Sequence, residues 1–198
     1  MTQPDPGTAK TDVFDIANDQ SGARVFRNTT EWTIKKSFFW NDYDIFDDHG
    51  EKIFEAESKH FTFLKKLTFK DLRGNCNEIG RIEQNFALFL QEYEIHIDGA
   101  LYATMRQKLK LFLTEFSVEP AKNPENPITI SSDWTGHNYE FHQNDILIAT
   151  VHKHWFSWTA TYSVTIMPEQ DVVFILSCSV VVYQAVEKGH SDTKSKKG

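Results

Sequence analysis

Short apolar runs separated by polar turns occupy most of this sequence, and one long apolar segment lies near its C-terminal end. From about Arg24 onward, apolar and aromatic runs alternate with turns rich in Asp, Asn and Gly. No long amphipathic helical pattern occurs before residue 168. Many short runs at regular spacing are typical of strands, so the pattern predicts an all-β sandwich or barrel.

Four pairs of runs flank a short turn and predict β-hairpins. The turns are Asp47–Gly50, Asp71–Gly74, Asp98–Gly99 and Gln143–Asp145. The glycines of the first three turns recur at nearly even spacing, which favours a meander that closes on itself. The proline-rich segment Glu119–Pro127 predicts a loop between two parts of one β domain.

The long apolar segment is Asp171–Val186, which has no polar face. An element that is apolar all round must be buried all round. Pro168 suits the first helical position, Glu169 and Asp171 suit the first turn, and the later Gly189 is a stop signal. We therefore predict a helix over about 168–187, although its valines favour a strand.

The apolar part of the predicted helix is too short for an ordinary membrane span. At about 1.5 Å per residue, fifteen residues cover roughly 22 Å, against about 30 Å for the hydrocarbon core of a bilayer. An apolar helix that follows an all-β meander can be buried in the lumen of a closed barrel. Closure also removes the exposed strand edges. The sequence thus predicts a mainly β fold, a closed antiparallel barrel around a central hydrophobic helix.

Length and composition indicate one domain with two polar flanks. Among 198 residues, 1–24 read as a disordered lead-in, 25–187 as the barrel domain and 188–198 as a disordered basic tail. The two cysteines do not form a disulfide framework, and the N-terminal residues lack the apolar core of a signal peptide. We expect a cytoplasmic protein, in solution or peripheral at a membrane.

Charge narrows the choice of partners. The net charge of −7 argues against non-specific binding of nucleic acid or of anionic membranes by the whole surface. Residues 61–122 hold nine basic and eight acidic side chains, whereas both flanks are net negative. In the strand predicted for Met105–Leu113, one face presents the basic side chains Arg106, Lys108 and Lys110. Cations spaced about 6.6–7 Å apart suit a phosphorylated headgroup, and the alternative is a solvated strand face.

Other candidate sites are weaker. Lys65 and Lys66 lie near Phe61 and Phe63, which suits a membrane interface or, alternatively, a surface strand above a core. The pair His152 and His154 shares a strand face, but no third zinc ligand is well placed, so we predict no metal site.

The sequence shows no nucleophile elbow and no phosphate-binding glycine loop. We expect no enzyme activity and no cofactor.

The last third of the chain resembles a known family. The resemblance is carried mainly by three features: the strand Ile148–Trp158 with its basic and aromatic end, the start of the last strand at Thr161–Val164, and the apolar helix. The repeated Asp-to-Gly hairpins add to it. They resemble the LURP-one-related family of the Tubby-like superfamily, which also includes the phospholipid scramblases. The resemblance implies a barrel of about twelve strands around a central helix. Tubby domains bind phosphoinositides through basic side chains on the barrel surface.

These observations predict a non-enzymatic Tubby-like binding module. The first hypothesis is peripheral binding of anionic phospholipid or phosphoinositide headgroups by Arg106, Lys108 and Lys110. The second is a soluble protein-interaction or scaffold domain with no lipid ligand, which the acidic net charge favours. The third is a scramblase-like membrane protein whose last helix inserts, which the shortness of that helix opposes.

Overall fold

A computed structural model gives the fold of the chain. It describes residues 17–18, 24–25, 28–37, 42–58, 66–85, 91–108, 113–154 and 160–195. In 17–18, 24–25 and 186–195 it describes the backbone alone. The predicted sites at Phe61, Phe63, Lys65 and Lys110 lie outside the described residues.

Twelve antiparallel strands form a closed barrel in which each strand pairs with its neighbours in the chain. The last strand pairs with the first and closes the barrel. This arrangement confirms the predicted mainly β barrel. The strands are β3 (Thr30–Lys36), β4 (Tyr43–Phe46), β5 (Lys52–Ser58), β6 (Lys66–Asp71), β7 (Asn77–Asn85), β8 (Glu92–Ile97), β9 (Ala100–Lys108), β10 (Glu115–Pro120), β11 (Ile128–Ser132), β12 (Asn138–Gln143), β13 (Ile146–His154) and β14 (Thr161–Ile166).

A two-stranded sheet precedes the barrel. Strand β1 (Ala17–Asn18) pairs antiparallel with β2 (Arg24–Val25). The lead-in predicted over residues 1–24 therefore contains a strand pair. A strand of two residues is too short to show an alternating pattern, and this stretch has too few apolar residues to signal a strand.

All four predicted hairpins are present, and one of them contains an irregularity. Across the Gln143–Asp145 turn, Tyr139 lies opposite Val151 and Phe141 opposite Ala149. The register shifts between Phe141 and His142. A β-bulge adds one unpaired residue to a strand, and the sequence gives no sign of it.

The central helix α1 (Val172–Ser195) confirms the predicted helix and shifts its bounds. Asp171 was expected in the first turn, but it precedes the helix and its Oδ1 accepts a hydrogen bond from the Phe174 N–H at 3.2 Å. It is thus the N-cap. Pro168 lies in the turn before it. Every side chain from Val172 to Ala185 is buried, so the helix fills the lumen as predicted.

The helix also continues past its predicted end. Gly189 was expected to stop it, yet the helical backbone reaches Ser195. Glycine inside a helix costs only about 1 kcal/mol relative to alanine, and no proline follows it to terminate the helix.

Three tyrosines join the helix to the wall at one end of the barrel. The ring of Tyr183 packs on Tyr43 and Tyr162, with ring centroids 5.0 and 4.5 Å away. Two lysines of β3 and β13 cover this cluster: Nζ of Lys36 and of Lys153 each lie 5.8 Å from the ring centroids of Tyr183 and Tyr162. The cluster fixes the depth of α1 in the barrel.

The strands of the barrel end at two opposite rims. The connections 47–51, 72–76, 98–99, 121–127, 144–145 and 167–171 meet at one end, which we call the turn end. The opposite strand ends lie at the other end, with the described connecting residues 37, 42, 91, 113–114, 133–137 and 160, and we call it the Trp134 end. Because Tyr43 and Tyr162 begin their strands at the Trp134 end, α1 runs from the turn end toward the Trp134 end.

Gly80 of β7 is required by a close backbone approach. A Cβ at this position would lie 2.8 Å from the His96 carbonyl oxygen. Backbone cannot move aside as a flexible side chain can, so we expect Gly80→Ala to lower the free energy of unfolding by about 1–3 kcal/mol. Denaturant titration measures this loss. The matched control is Glu78→Ala on the same strand, which should lose under about 1 kcal/mol; equal losses in both variants would contradict the steric account.

Candidate functional site

The outer face of β9 carries the predicted basic residues. Met105 is fully buried, while Arg106 and Lys108 point outward with side-chain exposures of 44% and 46%. Strand β9 ends at Lys108. The prediction that the strand reaches Leu113 is wrong: Leu113 lies in the connection to β10 and is 40% exposed.

Arg106 is held between two carboxylates on neighbouring strands. Its Nε donates to Glu92 Oε2 on β8 at 2.7 Å, and its Nη1 donates to Glu119 Oε2 on β10 at 2.5 Å. The amide of Asn85, and after it Arg106, lowers the pKa of the Glu92 carboxyl. Glu119 and then Glu92 raise the pKa of Arg106. The predicted site therefore contains both signs of charge.

Ion pairs between neighbouring strands recur along this side of the barrel. Lys108 Nζ lies 3.2 Å from Glu115 Oε1 on β10. Other pairs between neighbouring strands are Lys52–Asp44, Lys70–Glu57 and Lys66–Glu83. In each pair the carboxylate lies on a different strand from the cation. The alternation within β9 therefore does not reveal the partners of Arg106 and Lys108.

The histidines of β13 lie side by side on one strand face. The rings of His152 and His154 are 5.3 Å apart. His152 Nδ1 is hydrogen bonded to Asn138 Oδ1, and His154 Nε2 to Ser163 Oγ at 2.7 Å. Within the described ranges, no three His, Cys, Asp or Glu side chains are grouped to hold a metal ion. A structural zinc site needs four protein ligands, so this pair is insufficient.

Trp134 was not singled out from the sequence. It lies in the connection between β11 and β12, and 86% of its side chain is exposed. The Asp133 carboxylate braces this turn: Oδ1 accepts from Thr135 N and Oγ1 at 3.1 and 2.7 Å and from His137 N at 3.1 Å. Asn138 Nδ2 donates to Oδ2 at 2.5 Å. A tryptophan between the Asp and the Thr of an Asp-x-Thr turn signal was the clue available in the sequence.

Hydrogen bonding keeps the bracing carboxylate ionised. Burial of the Asp133 carboxyl by itself raises its pKa, but the hydrogen bonds from Thr135, His137 and Asn138 outweigh burial and lower the pKa to about 2. The turn that presents Trp134 is therefore held by a charged acceptor at neutral pH.

Two surface clefts flank the Asp98–Gly99 hairpin turn at the turn end. Each has a volume of about 230 Å³, one lined by Leu101, Tyr102 and Lys122 and the other by Arg81 and His96, among others. Pockets that enclose a drug-sized ligand have volumes of about 300–1,000 Å³. Neither cleft has the size of such a pocket.

Comparison with known proteins places the chain in a family. The sequence profile described as LURP-one-related matches residues 29–183, a span that runs from β3 into α1. The chain belongs to the LURP-one-related family. Both this LURP-one-related assignment and the closed twelve-stranded barrel indicate a Tubby-like domain.

Two relatives extend the comparison. This LURP-one-related chain is 25% identical over 149 residues to the uncharacterized protein YxjI of Bacillus subtilis, which covers 75% of the chain and 88% of YxjI. An X-ray structure of a protein from Arabidopsis thaliana matches with a TM-score of 0.62 at 16% identity, covering 81% of this chain and 93% of that one. The second likeness shows the shared fold.

The scramblase-like hypothesis depends on insertion of the last helix. Among the described residues, no helix is both long and apolar enough to cross a membrane. The apolar part of α1 is enclosed by strands instead. Of the two lysines for which a membrane interface and a surface strand were both considered, Lys66 forms an ion pair with Glu83 at 3.2 Å.

Proposed function

We propose that this LURP-one-related barrel is a non-enzymatic module that binds anionic phospholipid headgroups, including phosphoinositides, at a membrane surface in the cytoplasm. The observation that carries the proposal is the outward, half-exposed pair Arg106 and Lys108 on one strand face. Lys110, two residues further along the sequence, belongs to the proposed site and lies outside the described residues.

The neighbouring carboxylates do not prevent such binding. The ion pair of Arg106 with Glu119, in which the two side chains are 44% and 43% exposed, contributes only about 0–1 kcal/mol. A phosphorylated headgroup brings several negative charges at once and accepts paired hydrogen bonds from a guanidinium group. Exchange of the Glu119 carboxylate for phosphate oxygens is therefore energetically accessible.

The filled lumen supports a role without catalysis. Small-molecule carriers and many enzymes use an enclosed cavity, but the buried helix segment from Val172 to Ala185 occupies the interior of this barrel. The outer wall and the ends of the barrel then remain as binding surfaces. This consideration favours recognition of a large partner, such as a membrane, over conversion of a small substrate.

Neutralising the two basic residues tests the proposed site. Each Lys or Arg near an anionic surface contributes about 1 kcal/mol, so Arg106→Gln with Lys108→Gln should weaken binding to phosphoinositide vesicles by about tenfold or more. Vesicle co-sedimentation at low salt measures this change. The matched control is Arg81→Gln, an arginine of similar exposure (43%) that is also paired with carboxylates.

The control separates a site from general surface charge. Arg81→Gln should bind within about twofold of the unmodified protein if the β9 face is the site. Equal losses in the control and in the double variant would contradict the assignment of Arg106 and Lys108. Absence of vesicle binding by the unmodified protein would contradict the proposed function and favour a protein-interaction domain.

A further inference from the structure

We infer that the membrane contact is one corner of the Trp134 end, formed by Lys108, Leu113 and Trp134, with the Trp134 indole seated in the bilayer interface. The inference rests on the proposed function and adds the orientation of the barrel on the membrane. Tryptophan suits this position because its ring is apolar and its N–H is polar, and it is enriched at membrane–water interfaces.

Backbone contacts bring the two apolar side chains to neighbouring connections. The Thr114 N–H donates to Ser132 Oγ at 3.0 Å, and the Ser132 N–H donates to the Thr114 carbonyl at 2.9 Å. Leu113 precedes the first of these residues, and Trp134 follows the second by two positions. Both side chains are exposed, at 40% and 86%. They form an apolar corner above β10 and β11.

The turn that presents the indole is ordered before any contact is made. Six hydrogen bonds join Asp133 to residues 135–138: its carboxylate accepts four, its N–H donates to the Asn138 carbonyl, and its carbonyl accepts from the Gly136 N–H. A preorganised turn loses little conformational entropy on binding, so more of the favourable transfer energy of the indole is retained.

Cations lie at the depth of the headgroups below this corner. Lys108 lies opposite Glu115, which follows Leu113 by two residues. Arg106 lies two residues further along β9, toward the turn end. With about 3.4 Å per residue and a strand tilt of about 40°, these cations lie roughly 5 and 10 Å from the corner along the barrel axis. The headgroup region of one leaflet is about 5–7 Å thick. Lys108 would reach the phosphates, and Arg106 would reach a headgroup that projects further.

The distribution of charge favours the same orientation. The connections of the turn end hold eight carboxylates and two cations. The described residues of the connections at the Trp134 end hold two carboxylates, Asp42 and Asp133. An anionic surface therefore repels the turn end more strongly than the opposite end.

The course of α1 explains why a corner, and not the whole end, makes the contact. The helix continues from Tyr183 to Ser195 at the Trp134 end, which adds about 18 Å of helix beyond the tyrosine cluster. A bilayer lying flat across this end would meet that extension. A tilted barrel can instead bring Trp134 and Leu113 to the interface while the extension stays beside it.

Fluorescence quenching by brominated phospholipids tests the inference. The unmodified protein and Trp134→Phe are mixed with phosphoinositide-containing vesicles with and without bromine in the acyl chains. Because the other four tryptophans are common to both proteins, the difference between them reports Trp134. We expect stronger quenching of the unmodified protein. Equal quenching of both proteins while vesicle binding persists would overturn the inference and leave the proposed function intact.

Partitioning of alanine variants gives a second, independent readout. Trp134→Ala should lower the vesicle partition coefficient about tenfold and Leu113→Ala about threefold. The matched control is Ile146→Ala, an apolar side chain that is 66% exposed at the turn end and should leave partitioning unchanged. Equal effects of Trp134→Ala and Ile146→Ala would overturn the inference. Failure of the unmodified protein to bind any vesicle would overturn the proposed function, and Trp134 would then be an anchor for a protein partner.

Discussion

Replacing Cys178 by aspartate is expected to abolish folding of the barrel. Cys178 lies midway along the enclosed part of α1 and is only 1% exposed. Burial raises the pKa of its thiol, which shows that the surroundings disfavour charge. An unpaired carboxylate buried at this position should cost about 4–5 kcal/mol or more, out of about 5–15 kcal/mol that stabilise a typical domain.

The second cysteine provides a matched control for this experiment. Cys76 is exposed in a connection at the turn end and has a positive φ of 51°, a conformation that aspartate tolerates. Cys76→Asp should therefore keep the thermal transition of the unmodified protein, while Cys178→Asp loses it. A Cys178→Asp variant with an unchanged transition would contradict the placement of α1 inside the barrel.

Replacing Tyr183 by alanine is expected to lower the free energy of unfolding by about 3–5 kcal/mol. The substitution removes the ring that packs on Tyr43 and Tyr162 and leaves a cavity between helix and wall. It also removes the ring beneath Lys36. Denaturant titration followed by circular dichroism measures the loss.

The conservative variant separates the ring from its hydroxyl. Tyr183→Phe keeps both ring contacts and should lose less than half as much stability as Tyr183→Ala. A loss below about 1 kcal/mol in the alanine variant would mean that the tyrosine cluster does not fix the helix.

The sequence predicts the barrel well because the signals for its elements are local. Turn residues at Asp47–Gly50, Asp71–Gly74 and Asp98–Gly99 define hairpins without knowledge of the rest of the fold. The absence of a polar face in α1 likewise requires enclosure on all sides, whatever encloses it. Strand register is less predictable, since the bulge at Phe141 depends on how the strand bends in the closed barrel.

The candidate site is less predictable because its chemistry is not local. Alternation along β9 correctly places Arg106 and Lys108 on the outer face. The carboxylates that hold Arg106 come from β8 and β10, and their positions depend on register across three strands. The exposure of Trp134 depends on which end of the barrel its turn occupies, and topology decides that.

The measurement that tests the central claim most directly is vesicle co-sedimentation of the unmodified protein at increasing salt. Vesicles of neutral phospholipid are compared with vesicles that contain phosphoinositide. The account predicts binding to the anionic vesicles alone, with an affinity that falls as salt screens the charges. Equal binding to both kinds of vesicle, or no binding at low salt, would contradict the claim that this LURP-one-related barrel recognises anionic headgroups.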